Sequence, residues 1–181
     1  MESDLYLETD RLIIRNHRLD DWEDLYEYLS IPEIYRFEPG KPLTREEAKI
    51  INRQRCESDV FLVVELKQKQ KMIGHLYTAR LKPDVFMTWE LGYIFHPLYQ
   101  NRGYCSEAAA AYCRYAFTTL RAHKVTAFCN PLNAPSWKVL ENIGMEREGH
   151  IRQKAFFRTD ERGNPIWHDA YAYGILNPLH V

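Results

Sequence analysis

The sequence predicts a mixed α/β (α+β) protein, and three observations carry that prediction. Val60 to Leu66, Met72 to Leu81 and Trp89 to Phe95 are strand-like runs joined by short turns. A long helical pattern, one strand-like run and a second helix follow, and two long strand-like runs close the chain. No internal repeat, low-complexity run or linker divides the 181 residues, so 1–181 reads as one domain, long enough for a sizeable core.

In order, Arg11 to Arg15 is a β-branched first strand. Asp20 followed by Glu23 resembles a capping box, and Trp22, Leu25, Tyr26 and Leu29 form one apolar helical face, ended by Pro32. A turn-rich connection from Pro32 to Gly40 carries Tyr35, Arg36 and Phe37. Thr44 with Glu47 is a second capping box, opening a helix that runs to about Cys56. Lys67 to Lys71 is a charged hairpin tip between two strands, and Pro83-Asp84 turns the chain into the next. In that strand Trp89, Leu91, Tyr93 and Phe95 share one face and Glu90, Gly92 and Ile94 the other, and Pro97 stops it. Ala108 to Ala111 open the long helix, with Ala109, Cys113, Ala116 and Leu120 as its buried stripe. Val125 to Asn130 is a strand, Ser136 to Ile143 a helix with Gly144 just past its end, and Met145 to Arg158 and Pro165 to Leu176 are long strands around an Asp-Glu-Arg-Gly-Asn turn.

Composition narrows the class. With 45% apolar and 27% charged residues the chain is ordinary globular protein, which argues against disorder. A net charge of −1 and the lack of a like-charge block argue against a nucleic-acid partner. No apolar run reaches the roughly 18 residues of a membrane span, and the opening MESDLYLETDRL is acidic where a signal peptide is basic and then apolar. A cytoplasmic protein is expected. Cys56, Cys105, Cys113 and Cys129 show no C-x-x-C spacing and no two histidines sit at helical ligand distance, so neither disulfides nor a metal is expected. The cysteines read as buried thiols.

The most informative stretch is Gln100-Asn101-Arg102-Gly103-Tyr104-Cys105-Ser106, a turn between strand and helix. Such a turn leaves backbone N–H groups free at the positive end of the helix dipole, which suits a phosphate. Gly103 carries no Cβ to block the backbone, Arg102 adds a cation, and no carboxylate lies between Leu91 and Ser106. A plain connection containing one glycine has the same form. A nucleoside-triphosphate P-loop and a dinucleotide G-x-G-x-x-G are both missing.

What remains, Gln-x-x-Gly-x-small after a strand with an acidic residue, resembles the pyrophosphate motif Q/R-x-x-G-x-G/A of the GCN5-related N-acetyltransferases (GNAT), with Cys105 in the last position. The resemblance extends from about residue 8 to 176: E-T-D-R-L, W-E-L-G-Y, Q-N-R-G-Y, N-A-P-S, V-L-E-N-I-G-M and W-H-D-A-Y-A-Y occur in that order, and the set is most similar to the RimJ/RimL branch. It implies the acyl-CoA N-acyltransferase fold: a mostly antiparallel sheet of six or seven strands flanked by helices, splayed between the fourth and fifth strands. It implies acetyl-CoA as cosubstrate and no metal, with Tyr93, Ile94, Phe95, the loop from Gln100 to Ser106, and Asn133 on the cofactor. The implied reaction is acetyl transfer to a primary amine, with the α-amine of a protein or peptide as leading acceptor. A small-molecule amine (amino acid, polyamine or aminoglycoside) and a non-catalytic acyl-CoA sensor are the alternatives. No membrane partner is implied, and monomer and homodimer stay open.

Within that resemblance Glu90, ten residues before Gln100, takes the place of the glutamate base, and an apolar wall would raise its pKa. A glutamate paired with a basic residue on the next strand is the structural alternative. The tyrosine that many relatives use as general acid falls on Leu140, which leaves Ser136 as the replacement, and a serine after Ala134-Pro135 is equally a helix N-cap. The N–H near Tyr93 is the expected oxyanion donor. Tyr35, Phe37 and Trp89, with Phe156, Phe157, Trp167 and His168 behind them, are candidates for the acceptor pocket, each of which could equally be core or surface. Asp169 reads as a buried hydrogen-bonding group outside the chemistry.

Overall fold

A computed structural model describes residues 5–178. The acidic residues 1–4, part of the N-terminal reading above, and residues 179–181 at the end of the expected domain lie outside them. The elements are β1 (Tyr6–Glu8), β2 (Leu12–Arg15), α1 (Trp22–Leu29), α2 (Arg45–Cys56), β3 (Phe61–Leu66), β4 (Lys71–Arg80), β5 (Thr88–Phe95), α3 (Tyr104–Thr118), β6 (Lys124–Cys129), α4 (Ala134–Asn142), β7 (Glu146–Thr159) and β8 (Pro165–Leu176). The strands form one eight-stranded sheet in the order β1-β2-β3-β4-β5-β6-β8-β7. Every neighbouring pair is antiparallel except β5 and β6. The strand beyond the expected count is β1, three residues long and too short to show a period.

Strand alternation sorts the core into two layers. From β3, Leu62, Val64 and Leu66 join the cluster that takes in Ala108, Ala109, Cys113 and Ala116 of α3, while Val63 joins Leu25, Tyr28 and Leu29 of α1 on the other face. The small residues of α3 let its backbone lie close to the sheet. That helix starts at Tyr104, four residues before the alanines expected to open it, because Gly103 at φ 78° supplies the N-cap.

The two expected capping boxes have different outcomes. At α2 the box forms, with Thr44 N–H donating to Glu47 Oε2 at 2.8 Å and Glu47 N–H to Thr44 Oγ1 at 3.2 Å. At α1 the Asp20–Glu23 pairing gives way to a short 3-10 turn over Leu19–Asp21. There the Asp21 carboxylate accepts from the Arg18 N–H at 2.6 Å and binds the buried Arg15 guanidinium.

The expected splay is present. β5 and β6 pair only over Thr88–Lys124, Trp89–Val125 and Glu90–Thr126, while on its other side β5 stays paired with β4 from Trp89 to Phe95. Beyond Glu90, one edge of β5 faces a gap.

Candidate active site

The head of α3 borders one side of that gap. Asn101 at φ 58° and Gly103 at φ 78° both take left-handed conformations. The N–H groups of Asn101 to Ser106 have no partner among the described residues, whereas Glu107 N–H closes the first helical bond to Gly103 O at 3.0 Å. A Cβ on Gly103 would lie 3.3 Å from Arg11 Nη2, the flexible end of a side chain, so the glycine answers chiefly to its left-handed backbone angle. Gln100 folds back, its Nε2 donating to Phe95 O at 3.0 Å. Arg11 latches the turn from β2's side: it binds Glu107 at 2.6 Å, donates to Arg102 O at 3.0 Å and stacks 4.5 Å from the Tyr104 ring centre. The one carboxylate in the first turn of α3 is thereby neutralised: burial would raise it, but hydrogen bonds from the Thr9 hydroxyl, the Arg11 N–H and the Arg11 guanidinium hold it below its usual range.

Two cavities meet at the gap. The larger, about 780 Å³, lies on the α2 side of the sheet and is lined by Glu90, Gly92 and Ile94 of β5, Phe128 of β6, and Lys154, Phe157 and His168 of the last two strands. The smaller, about 560 Å³, runs along Gln100, Asn101 and Gly103 to Ser106 and against α4. Phe37, Glu38, Tyr93, Ile94, Asn133 and Ser136 line both. A ligand laid along the head of α3 would therefore reach Glu90 through the splay.

Glu90 stands at the last rung of the β5–β6 pairing. It has no hydrogen bond or ion pair among the described residues, which removes the structural alternative of a cross-strand pair. Its field does reach Lys154, whose ammonium is pushed below the usual range chiefly by burial and lies over the Phe128 ring. Tyr93 and Ser136 form a hydroxyl pair: Ser136 Oγ donates to the Tyr93 oxygen at 3.3 Å, and Tyr93 donates to the Ser136 carbonyl at 2.8 Å. Burial lifts the phenol well above its usual range. Ser136 is not the helix cap, since α4 begins at Ala134 with Asn133 in the cap position. The Asn133 side chain caps nothing and lines both cavities. Leu140 is buried where the common tyrosine would stand.

Several expected site residues fall elsewhere. Trp89, expected in the acceptor pocket, is only 8% exposed in the α3-side core, with the Arg80 guanidinium 5.0 Å from its ring centre. Neighbours in a strand face opposite ways, so Trp89 and Glu90 do not share a cavity. The Arg102 side chain is exposed and lines neither cavity; the groove's cations are Arg36 and Lys138. Tyr35 and Phe37 do line the acceptor side, and their connection is held down by Tyr35 OH donating to Leu29 O at 2.9 Å and by Arg158 donating to Tyr35 O. Phe157 and His168 stack at 5.5 Å in the cavity wall, whereas Phe156 and Trp167 pack together on the exposed side. Asp169 is half-exposed and bonds His150 Nε2 at 2.7 Å and Gln153 N–H at 2.9 Å, so it is not the buried group expected.

Glu38 was not singled out by sequence reasoning, because nothing local marks one glutamate in a turn-rich connection. It lines both cavities without a hydrogen bond or ion pair among the described residues, and burial pushes its carboxyl from 4.5 up to about 7. A raised carboxyl keeps its proton in the folded chain after the unfolded chain has released it. Its stabilising contribution is thus full below about pH 4.5 and lost as pH rises through about 7. Glu38→Gln is expected to flatten that decline in urea midpoints measured across the window; equal slopes in parent and variant would dismiss the raised pKa.

Among the described residues no helix is long and apolar enough to cross a membrane, and no group of three or more His, Cys, Asp or Glu side chains could hold a metal ion.

Comparison with known proteins places this geometry. The family model for the acetyltransferase (GNAT) domain matches residues 11–146. This chain belongs to the GNAT acetyltransferase family. The N-acetyltransferase YnaD of Bacillus subtilis is 36% identical over 173 residues, covering 95% of this chain and 97% of that protein. A crystal structure of a GNAT-family acetyltransferase from Bacillus anthracis superposes with a TM-score of 0.85 at 32% identity, covering 96% of this chain and 99% of that one. The ribosomal protein uS5 alanine N-acetyltransferase of Escherichia coli is 27% identical over 158 residues, 81% of this acetyltransferase and 80% of the other, which gives loose support to the RimJ/RimL-like branch. GNAT enzymes draw on acetyl-CoA, and the unpartnered amides at the head of α3, beside Arg36 and Lys138, fit its diphosphate.

Proposed function

We propose that this acetyltransferase moves the acetyl group of acetyl-CoA onto a primary amine, in the first instance the α-amine of a protein or peptide, by direct attack. The single observation that carries the reading is the meeting of the two cavities at the splay. A groove along the head of α3 reaches Tyr93 and Ser136, and an unpaired carboxylate, Glu90, lies on the other face of β5 where the splay begins. Residues 100–106 and Asn133 would hold the diphosphate and the pantetheine arm, and the open edge of β5 near Tyr93 would offer an N–H to the developing oxyanion. Glu90 takes a proton from the attacking amine, directly or through water. The N–C bond forms, the C–S bond breaks, and Ser136, with Tyr93 next in line, supplies the proton to the leaving thiolate.

The likeness to the uS5 alanine acetyltransferase favours a protein α-amine. Thiol release from acetyl-CoA is the test, measured against free-α-amine peptides, the same peptides with blocked N-termini, amino acids, polyamines and aminoglycosides. Release is expected with the free peptides and not with the blocked ones. Coenzyme A binding without release on any amine would leave a sensor, and turnover confined to small amines would move the acceptor to that class.

A further inference from the structure

Arg55, in the last turn of α2, lines the acceptor cavity. Its guanidinium stacks 4.0 Å from the Phe61 ring centre and lies against the Tyr28 hydroxyl, which is bonded in turn to His75 Nδ1 at 2.6 Å. Its Nη1 is enclosed and has no hydrogen-bond partner. No carboxylate among the described residues pairs with it. Arg15, which is buried, shows the usual arrangement: Asp21 and Glu65 each stand 2.8 Å away. A half-buried guanidinium with one enclosed nitrogen and no counter-charge is costly, and the rest of the group faces the cavity. Burial lowers its own pKa, and burial together with the Arg55 charge holds His75 well below the usual imidazole range.

The other acids around the cavity are engaged or far from anionic. Glu47 is held in the α2 cap and by Lys41 at 3.0 Å, Asp169 by His150 and Gln153, and Glu38 keeps its proton up to about pH 7. Glu90 is the unpaired acid, and it lies apart from Arg55: Phe61 of β3 pairs with Tyr77 of β4, which pairs with Gly92 of β5. Two interstrand spacings, about 10 Å, therefore separate the strand under Arg55 from the strand of Glu90. Lys154, over the Phe128 ring, feels the Glu90 charge at the splay, and Arg55 is the cation without a carboxylate at the α2 end of the cavity.

Resting on the reading of this cavity as the acceptor site, we propose that the acceptor amine carries a carboxylate, which Arg55 binds while the amine lies at Glu90. The fork of N–H donors on arginine suits a carboxylate bound through two oxygens, and an anion entering there supplies the missing counter-charge.

The probes are three primary amines of increasing separation between the amine and a single carboxylate, β-alanine, 5-aminopentanoate and the dipeptide Ala-Glu with its α-carboxyl amidated, each matched by the compound in which that carboxylate is a carboxamide. Binding is measured by calorimetry on the full chain saturated with coenzyme A, so the answer does not depend on turnover; thiol release from acetyl-CoA is followed in parallel. For the best-fitting pair the acid is expected to bind at least ~10-fold tighter than the amide. Arg55→Gln is expected to bring the acid to the level of the amide, and Arg55→Lys to keep part of the preference. A merely structural arginine would weaken both members alike, and the parent comparison stands whether or not the variants fold. The proposal is overturned if the amides bind as well as the acids in all three pairs, if no acid binds, or if Arg55→Gln keeps the preference. Thiol release on amides as readily as on acids would end the carboxylate proposal and leave the transferase reading intact. Arg55-dependent binding of acids with no thiol release on any amine would do the reverse.

Discussion

Glu90→Gln lowers kcat by about 100-fold or more, within the range for loss of a general base, and leaves acetyl-CoA binding close to that of the parent. The side chain holds no ion pair or hydrogen bond among the described residues and stands at the last rung between β5 and β6. An amide of the same shape therefore disturbs neither the sheet nor the groove along α3, and what is lost is the proton acceptor and the field it exerts on Lys154. The acidic limb of kcat/KM against pH, which reports the base in the free enzyme, should vanish in the variant. Steady-state kinetics across pH, with coenzyme A affinity from calorimetry, checks both parts. Turnover that is unchanged at every pH would take the role from Glu90 and leave Glu38, the carboxyl lining both cavities, as the next candidate.

Ser136→Ala cuts turnover by more than ~10-fold while the melting temperature moves little. Its hydroxyl meets the Tyr93 phenol where the two cavities join and takes no part in capping α4. Removing it deprives the leaving sulfur of a donor, whereas Tyr93 keeps its bond to the Ser136 carbonyl. The expected stability cost is that of one partly buried hydrogen bond, about 1 kcal/mol. Tyr93→Phe is the companion variant and should lower the same step if the phenol stands behind the serine. A change confined to melting, with kcat intact, would make the pair structural.

The parts of the site that could be read from the sequence are those set by local physical chemistry. The turn from Gln100 to Ser106 is visible because a left-handed backbone needs glycine and a helix start leaves amides free. The Thr44–Glu47 box and the alternation in β5 are visible for the same reason: each involves residues a few positions apart. Trp89 fails because an aromatic residue near a site looks alike whether it lines a pocket or fills a core, and only strand parity separates the two. The Asp20–Glu23 box fails because Arg15 and Arg18 draw in Asp21 instead. The Arg11 latch on Glu107 joins residues 96 positions apart, and no local pattern announces it.

By itself the sequence determined the family, the order of the elements, the turn from Gln100 to Ser106 at the head of α3 and the position of Glu90 in β5, because these rest on backbone conformation and on short periods in the chain. The tertiary structure decided which hydroxyl Ser136 meets, that Glu38 stands where the two cavities join, and that Arg55 is half-buried without a counter-charge. Those are facts of burial and of distance between remote segments, and both arise only when the sheet closes on its helices.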